Sequence, residues 1–258
     1  MQRFIVARQK IADDQLALTG EEAYHAAVVT RLQMEEIFVA FDGVGNEFLC
    51  RAKEISPQQV VGAIVARRSF ASEASISITL AQSILKGKGT SQVLDGAVQL
   101  GITDFIAFRS AHSVARPRNS PIVTAKLLKV AQEASKQSGR SVIPAVNYLP
   151  TVDSLKNRIE SADIAILLSL GVGAVPINQA LSKFPQRVKN ILLLVGPEGG
   201  FSQEEESLLQ GIGAIKTSLG PRRIRAVLAG VVACSAIMYT YNQMSVKEKE
   251  WITVSSAK

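Results

Sequence analysis

Up to Arg68 the apolar residues come in short bursts broken by polar and turn residues; from Ala74 onward, longer apolar runs alternate with segments of helical period. The first pattern predicts short strands, the second strands and helices in turn. In the first part Met1-Gln-Arg-Phe-Ile-Val reads as a strand. Ile37 to Phe41, the Asp42-Gly43 turn and Glu47 to Lys53 read as a hairpin, and Val60 to Val65 as a further strand. Thr19-Gly-Glu-Glu22 has the form of a capping box that opens a short helix carrying His25 and Arg31. Several short strands with one helix suggest a small barrel. Ala66-Arg-Arg-Ser-Phe-Ala-Ser-Glu73, polar and basic, reads as a linker.

Beyond it, Ile76, Ile78 and Leu80 alternate as a strand, Ser91 to Leu100 is helical and stops at Gly101, and Ile102 to Phe108 is a second strand. Ser120-Pro121 supplies an N-cap and a first-turn proline for a helix to Ser138. Ile164 to Leu168 and Ile191 to Val195 read as strands flanking a helix near Val175 to Phe184, and Ala214 to Thr217 as a short strand. This alternation indicates an α/β domain with a mostly parallel sheet, and periodicity alone stops there. Ala226 to Tyr241 is nearly free of charge but shorter than the roughly 20 residues that span a bilayer. Ala226, Gly230 and Cys234 stand four apart, so we read a buried or subunit-interface helix rather than a membrane span.

With 258 residues, 47% of them apolar, the chain can build one large or two modest domains. A formal net charge of +7 favours an anionic macromolecular partner. Cys50 and Cys234 belong to no Cys-x-x-Cys pair, which excludes a zinc pattern and a disulfide framework and fits a reducing compartment. His25 and His112 are too isolated to hold a metal. The N-terminus lacks the apolar core of a signal peptide, so a cytoplasmic protein is expected.

The densest chemistry lies in Leu194-Val-Gly-Pro-Glu-Gly-Gly-Phe-Ser202, between a strand and a helix start. Gly196, Gly199 and Gly200 let a ligand approach bare backbone. Ser202 and Glu205 form a capping box, with Glu204 to Glu206 in the first helical turn. No Gly-x-x-x-x-Gly-Lys run exists and Glu198 sits inside the turn, so a neutral or cationic nucleoside-like ligand fits better than a triphosphate. The bland alternative is a tight connection with no ligand. A second loop, Ser218-Leu-Gly-Pro-Arg-Arg-Ile-Arg225, sets Arg222, Arg223 and Arg225 before the long apolar helix. Cations there oppose the helix dipole, so an anion such as nucleic-acid phosphate explains them better than local stability does. Gly171-Val-Gly-Ala174 lacks a third glycine and reads as a plain turn.

Together the two loops resemble the 16S ribosomal RNA uridine N3-methyltransferases, members of the knotted (SPOUT) methyltransferases that use S-adenosylmethionine. Met1-Gln-Arg-Phe, His25 with Arg31, Lys86-Gly87, Gln99-Leu-Gly-Ile102 and Glu133-Ala-Ser-Lys-Gln-Ser-Gly-Arg140 extend the resemblance nearly end to end. It implies a PUA-like small β-barrel that binds RNA over residues 1–68, and an α/β methyltransferase domain with a C-terminal trefoil knot over 74–246. It implies a homodimer acting on ribosomal RNA or the small ribosomal subunit, with no metal and no membrane. Leu168, Leu170, Gly196, Pro197, Glu198, Gly199, Gly200, Leu219, Gly220 and Ile224 would hold the cofactor. Arg3, His25, Arg31, Lys86, Lys88 and Arg140 would bind RNA, and Arg222 or Arg225 would assist loss of the uridine N3 proton.

The chain departs from the family pattern in three places. Val227-Leu228 stands where the family usually has Glu-Thr, Lys88-Gly-Thr-Ser-Gln92 replaces an acidic and methionine-bearing segment, and a leucine replaces the tryptophan common before Glu133. The alternatives are a ribosome-associated RNA binder that has lost catalysis and an active enzyme with a shifted RNA target.

Overall fold

A computed structural model describes residues 1–115, 120–184, 188–245 and 250–254. These fall into two compact units, the first built from Met1–Glu73, Ser135–Ile143 and the C-terminal end of the chain, the second from Ala74–Ala134 and Pro144–Ser245.

In the first unit β1 (Arg3–Ile5), β2 (Gln15–Thr19), β3 (Ile37–Phe41), β4 (Asn46–Ile55), β5 (Gln59–Ser69) and the last strand of the chain, β13 (Ile252–Thr253), form one sheet. Its order is β1-β3-β4-β5-β13, with β2 also paired to β5. β2 takes Gln59 to Ala63 of β5, and β13 takes Ala66 and Arg67. Irregularities between Leu49 and Cys50 and between Ala52 and Glu54 bend β4, as bulges do. The sheet curls over a core that includes Phe4, Leu16, Leu18, Phe38, Phe48 and Val60.

Two expectations are corrected here. Ala66 to Ser69 is the end of β5, not a linker. Ala66 is buried, and the guanidinium groups of Arg67 and Arg68 lie over the rings of Phe48 and Trp251, so a basic stretch serves as a strand by covering aromatic surface. Thr19 ends β2 and makes no cap: the short helix α1 (Glu21–Tyr24) starts from Gly20 at φ 61° with no side-chain cap. Glu22 instead accepts from Ile5 N–H at 3.0 Å and pairs with Lys136 at 2.9 Å. A single π turn, His25–Val29, follows α1.

The second unit runs β6 (Ser77–Ser83), α2 (Gly89–Gln99), β7 (Asp104–Phe108), α3 (Ser120–Ser138), β8 (Ala145–Leu149), α4 (Lys156–Glu160), β9 (Ile164–Leu168), β10 (Val175–Pro176), α5 (Ile177–Ser182), β11 (Asn190–Val195), α6 (Gln203–Gly211), β12 (Ile215–Ser218) and α7 (Ala226–Thr240). The end of α3, from Ser135, belongs to the first unit. The seven strands of the second sheet are all parallel, in the order β10-β12-β9-β11-β6-β7-β8. Parallel strands are covered on both faces, which is why β9 and β11 are nearly unbroken apolar runs. On one face Phe108, Leu192, Leu194, Phe201 and Leu209 pack together; α7 packs on β6, β11 and α2. β11, late in the chain, lies between β6 and β9 and pairs with both, Ile191 standing beside Ile78 on one side and Ile164 on the other.

Candidate functional site: a cleft at the strand ends

Strands β12, β9, β11 and β6 are neighbours, and the segments leaving their C-terminal ends line one cleft of about 1160 Å³. Open parallel sheets place ligands at this edge, where loops diverge and backbone groups are free.

The glycine turn after β11 forms one wall. Gly200 N–H donates to Pro197 O at 2.9 Å, and Gly200 sits at φ 73°, where a side chain is strained. A Cβ on Gly196 would stand 3.1 Å from the backbone of Gly200 and Phe201, so the turn closes this tightly only without one. The Ser202 hydroxyl then accepts from Glu205 N–H at 3.2 Å while Glu205 Oε2 accepts from Ser202 N–H at 2.9 Å, the expected capping box. Glu205 Oε1 also accepts from Ala111 N–H at 2.7 Å, and His112 Nδ1 lies 3.1 Å from Gly200 O, so the loop after β7 braces the turn. Glu198 accepts from Lys86 N–H at 3.1 Å, tying the turn to the segment after β6. The Ser202 hydroxyl, followed by its own backbone N–H, holds the Glu204 carboxyl below the ordinary carboxylate range, as suits a helix-start residue.

Glu206 behaves differently from its neighbours. It is 9% exposed, accepts from Ser169 Oγ at 2.6 Å and pairs with Lys216 at 2.7 Å, making a nearly buried polar cluster on the cleft wall. Sequence reasoning missed this cluster, and it missed Gln82 beneath the turn. Neither leaves a local signal, because the partners come from separate strands and helices.

Of the residues expected at the cofactor, Leu168, Leu170, Gly196, Pro197, Glu198, Gly199, Gly200, Leu219 and Ile224 all line this cleft. Gly220 does not; at φ 112° it reverses the chain, its N–H donating to Ser218 Oγ at 3.1 Å. Arg222, Arg225, Lys86 and Lys88 line the same cleft. Arg3, His25, Arg31 and Arg140 belong to the first unit. Arg140 is 2% exposed with its guanidinium on Glu73, and Arg3 pairs with fully buried Glu47 and donates to Arg140 O at 3.0 Å. These two thus serve as charge partners within the first unit. His25 lies edge-on to Phe4 with its Nδ1 buried and unpartnered, whereas Arg31 is exposed at φ 53°.

Burial pushes the thiols of Cys50 and Cys234 up to about 12, so neither is a nucleophile at neutral pH. Among the described residues, no three His, Cys, Asp or Glu gather in a metal-binding arrangement, and no helix is long and apolar enough to cross a membrane.

A parallel α/β unit with its ligand cleft at the strand ends, joined in one chain to a curled β-sheet unit, defines a class, and the chain belongs to the RNA methyltransferase domain family, which matches residues 72–238. The RNA methyltransferase PUA domain matches residues 18–65. Among similar proteins, ribosomal RNA small subunit methyltransferase E of Bacillus subtilis is 26% identical over 247 residues, covering 93% of this chain and 96% of that protein. The protein of the same name from Mycobacterium tuberculosis is 27% identical over 220 residues, 84% of each chain. The solved structure of a Legionella pneumophila methyltransferase in complex with SAM superposes with a TM-score of 0.83 at 25% identity, over 92% of this chain and 97% of that one. Ribosomal RNA small subunit methyltransferase E from Neisseria gonorrhoeae, at 22% identity and a TM-score of 0.81 over 93% and 98% of the chains, shares the fold.

Proposed function

We propose that the protein transfers the methyl group of S-adenosylmethionine to N3 of a uridine in small-subunit (16S) ribosomal RNA. The observation that carries this reading is the convergence of the glycine turn and the arginine loop on one cleft, in a chain similar from end to end to ribosomal RNA small subunit methyltransferases. The cleft suits the cofactor: Leu168, Leu219 and Ile224 offer apolar surface to a base, and Gly200 leaves open space where a side chain would stand. The turn Gly196 to Gly200, with Leu168, Leu170, Leu219 and Ile224, would hold it, and Gly220 would shape the loop from behind. Glu198 favours a cationic ligand. When bound, S-adenosylmethionine supplies a methyl group on a positively charged sulfur.

The remaining lining residues act on the acceptor. Lys86, Lys88, Arg222 and Arg225 attract phosphate, and a guanidinium beside the base favours the deprotonated form of N3. Because N3 lies on the pairing edge of uridine, the target is unpaired when it reacts. Residues 1–68 act as the RNA-binding PUA-like domain, through His25 and Arg31, and 74–246 as the methyltransferase domain.

Two features support the remaining parts of the reading. Insertion of β11 between β6 and β9 suits a trefoil knot closed by the glycine turn and the arginine loop. Along α7, Leu228 and Val232 are exposed, 46% and 40%, as an apolar face that a second copy would cover in a homodimer. A ribosomal substrate implies the cytoplasm. Val227, which lines the cleft where the family usually has glutamate, favours a second reading, an RNA binder without turnover or an enzyme with a shifted target. Labelled S-adenosylmethionine, small subunits from cells lacking the protein and nucleoside mass spectrometry decide between them. The expected outcome is 3-methyluridine at one site; cofactor binding with no transfer would favour the RNA binder, and a methylated nucleoside of another kind the shifted target.

A further inference from the structure

We infer that Gln82, at the C-terminal end of β6, is the positioning residue that sets the glycine turn for its ligand; the inference rests on the cofactor reading above. Gln82 is fully buried, and its Nε2 donates to Gly196 O at 3.1 Å and Ser83 O at 3.0 Å, with Val195 O at 3.5 Å. The Gly196–Pro197 peptide is where the turn leaves β11. Proline has no N–H, so this peptide can be held only through its carbonyl. Peptide planarity then transmits the grip of Gln82 on that oxygen to the direction in which Pro197, Glu198 and Gly199 enter the cleft.

The orientation of the amide is fixed by its surroundings. Turned the other way, Oε1 would face three carbonyl oxygens, so the donor side must point at the turn. Its Oε1 is then left buried without a hydrogen-bond partner, on the side facing Gly230 of α7, where an added Cβ would stand 3.4 Å away. An unpaired buried acceptor costs stability, and an apolar side chain of equal length would avoid that cost. The value of an amide here lies in what Nε2 holds, which is the exit of the turn.

The test is Gln82→Met, with Gln82→Leu as a second variant, in the full-length protein. Melting temperature and S-adenosylmethionine affinity are measured side by side by calorimetry. The expected result is a dissociation constant raised about tenfold, about 1.4 kcal/mol, in a protein that melts within a few degrees of the wild type. Unchanged affinity in a folded variant would overturn the inference, and so would failure of both variants to fold, which would make Gln82 a stability residue. Failure of the wild type to bind the cofactor would instead count against the proposed function.

Discussion

Glu205 uses both oxygens of one carboxylate, one to close the cap of α6 and the other to hold the loop after β7 through Ala111. Replacing it with alanine removes both ties, and a hydrogen bond contributes about 1 kcal/mol net. Glu205→Ala is expected to lower the urea midpoint by more than Ser202→Ala, which leaves the tie to Ala111 in place. Asp163 shows a different economy at the surface: Oδ2 accepts from Lys189 N–H at 2.8 Å and Asn190 N–H at 2.9 Å. The Asn190 N–H, then that of Lys189, lowers its carboxyl below the ordinary 3.8. A folded-state pKa that is depressed contributes stability above the unfolded value and loses it as pH falls through the folded one. Asp163→Asn should therefore lower unfolding free energy slightly at neutral pH and converge on the wild type as pH falls below 3.8, as urea titrations across that range would register. The Ser202–Glu205 box was legible in the sequence because both partners lie in one turn. Gln82 and Gly196 are 114 positions apart and Arg140 and Glu73 are 67 apart, so no local pattern could pair them.

At the scale of elements, legibility followed burial. β9 and β11 are covered on both faces, and their apolar runs marked them to within a residue. β8 lies at the sheet edge with half-exposed residues, and β10 and β13 are two residues long, too short to show a period. The end of β5 was hidden because its arginines cover aromatic rings with charged side chains. α7 is apolar on its outer as well as its inner surface, which no lone surface helix needs. Val232→Asp on the outer surface should leave the fold intact and shift sedimentation toward the monomer; a variant that sediments like the wild type would remove α7 from the proposed dimer.

Across the whole molecule the net charge is +7, and Lys86, Lys88, Arg222, Arg223 and Arg225 line the cleft beside Lys216, which is paired with Glu206 of the wall. Affinity for ribosomal RNA should fall with added salt, by a logarithmic slope of roughly 0.7 per single-strand phosphate contact. Arg222→Ala or Arg225→Ala should flatten that slope by about one contact. If each changes only RNA affinity and leaves turnover at saturating substrate unaltered, their assistance to N3 deprotonation is ruled out. Strand alternation announced a parallel sheet but not its order, since order depends on which distant strands meet, and the sequence carries no local sign of that.

The central place of β11 has a consequence for synthesis. A nascent chain that has not reached Asn190 already contains β6 and β9, yet β6 lacks its neighbour on one side and β9 on both. Open strand edges of this kind recruit other chains. A product truncated before Asn190 is thus not merely inactive but sticky, and the cell's interest lies in finishing or destroying it.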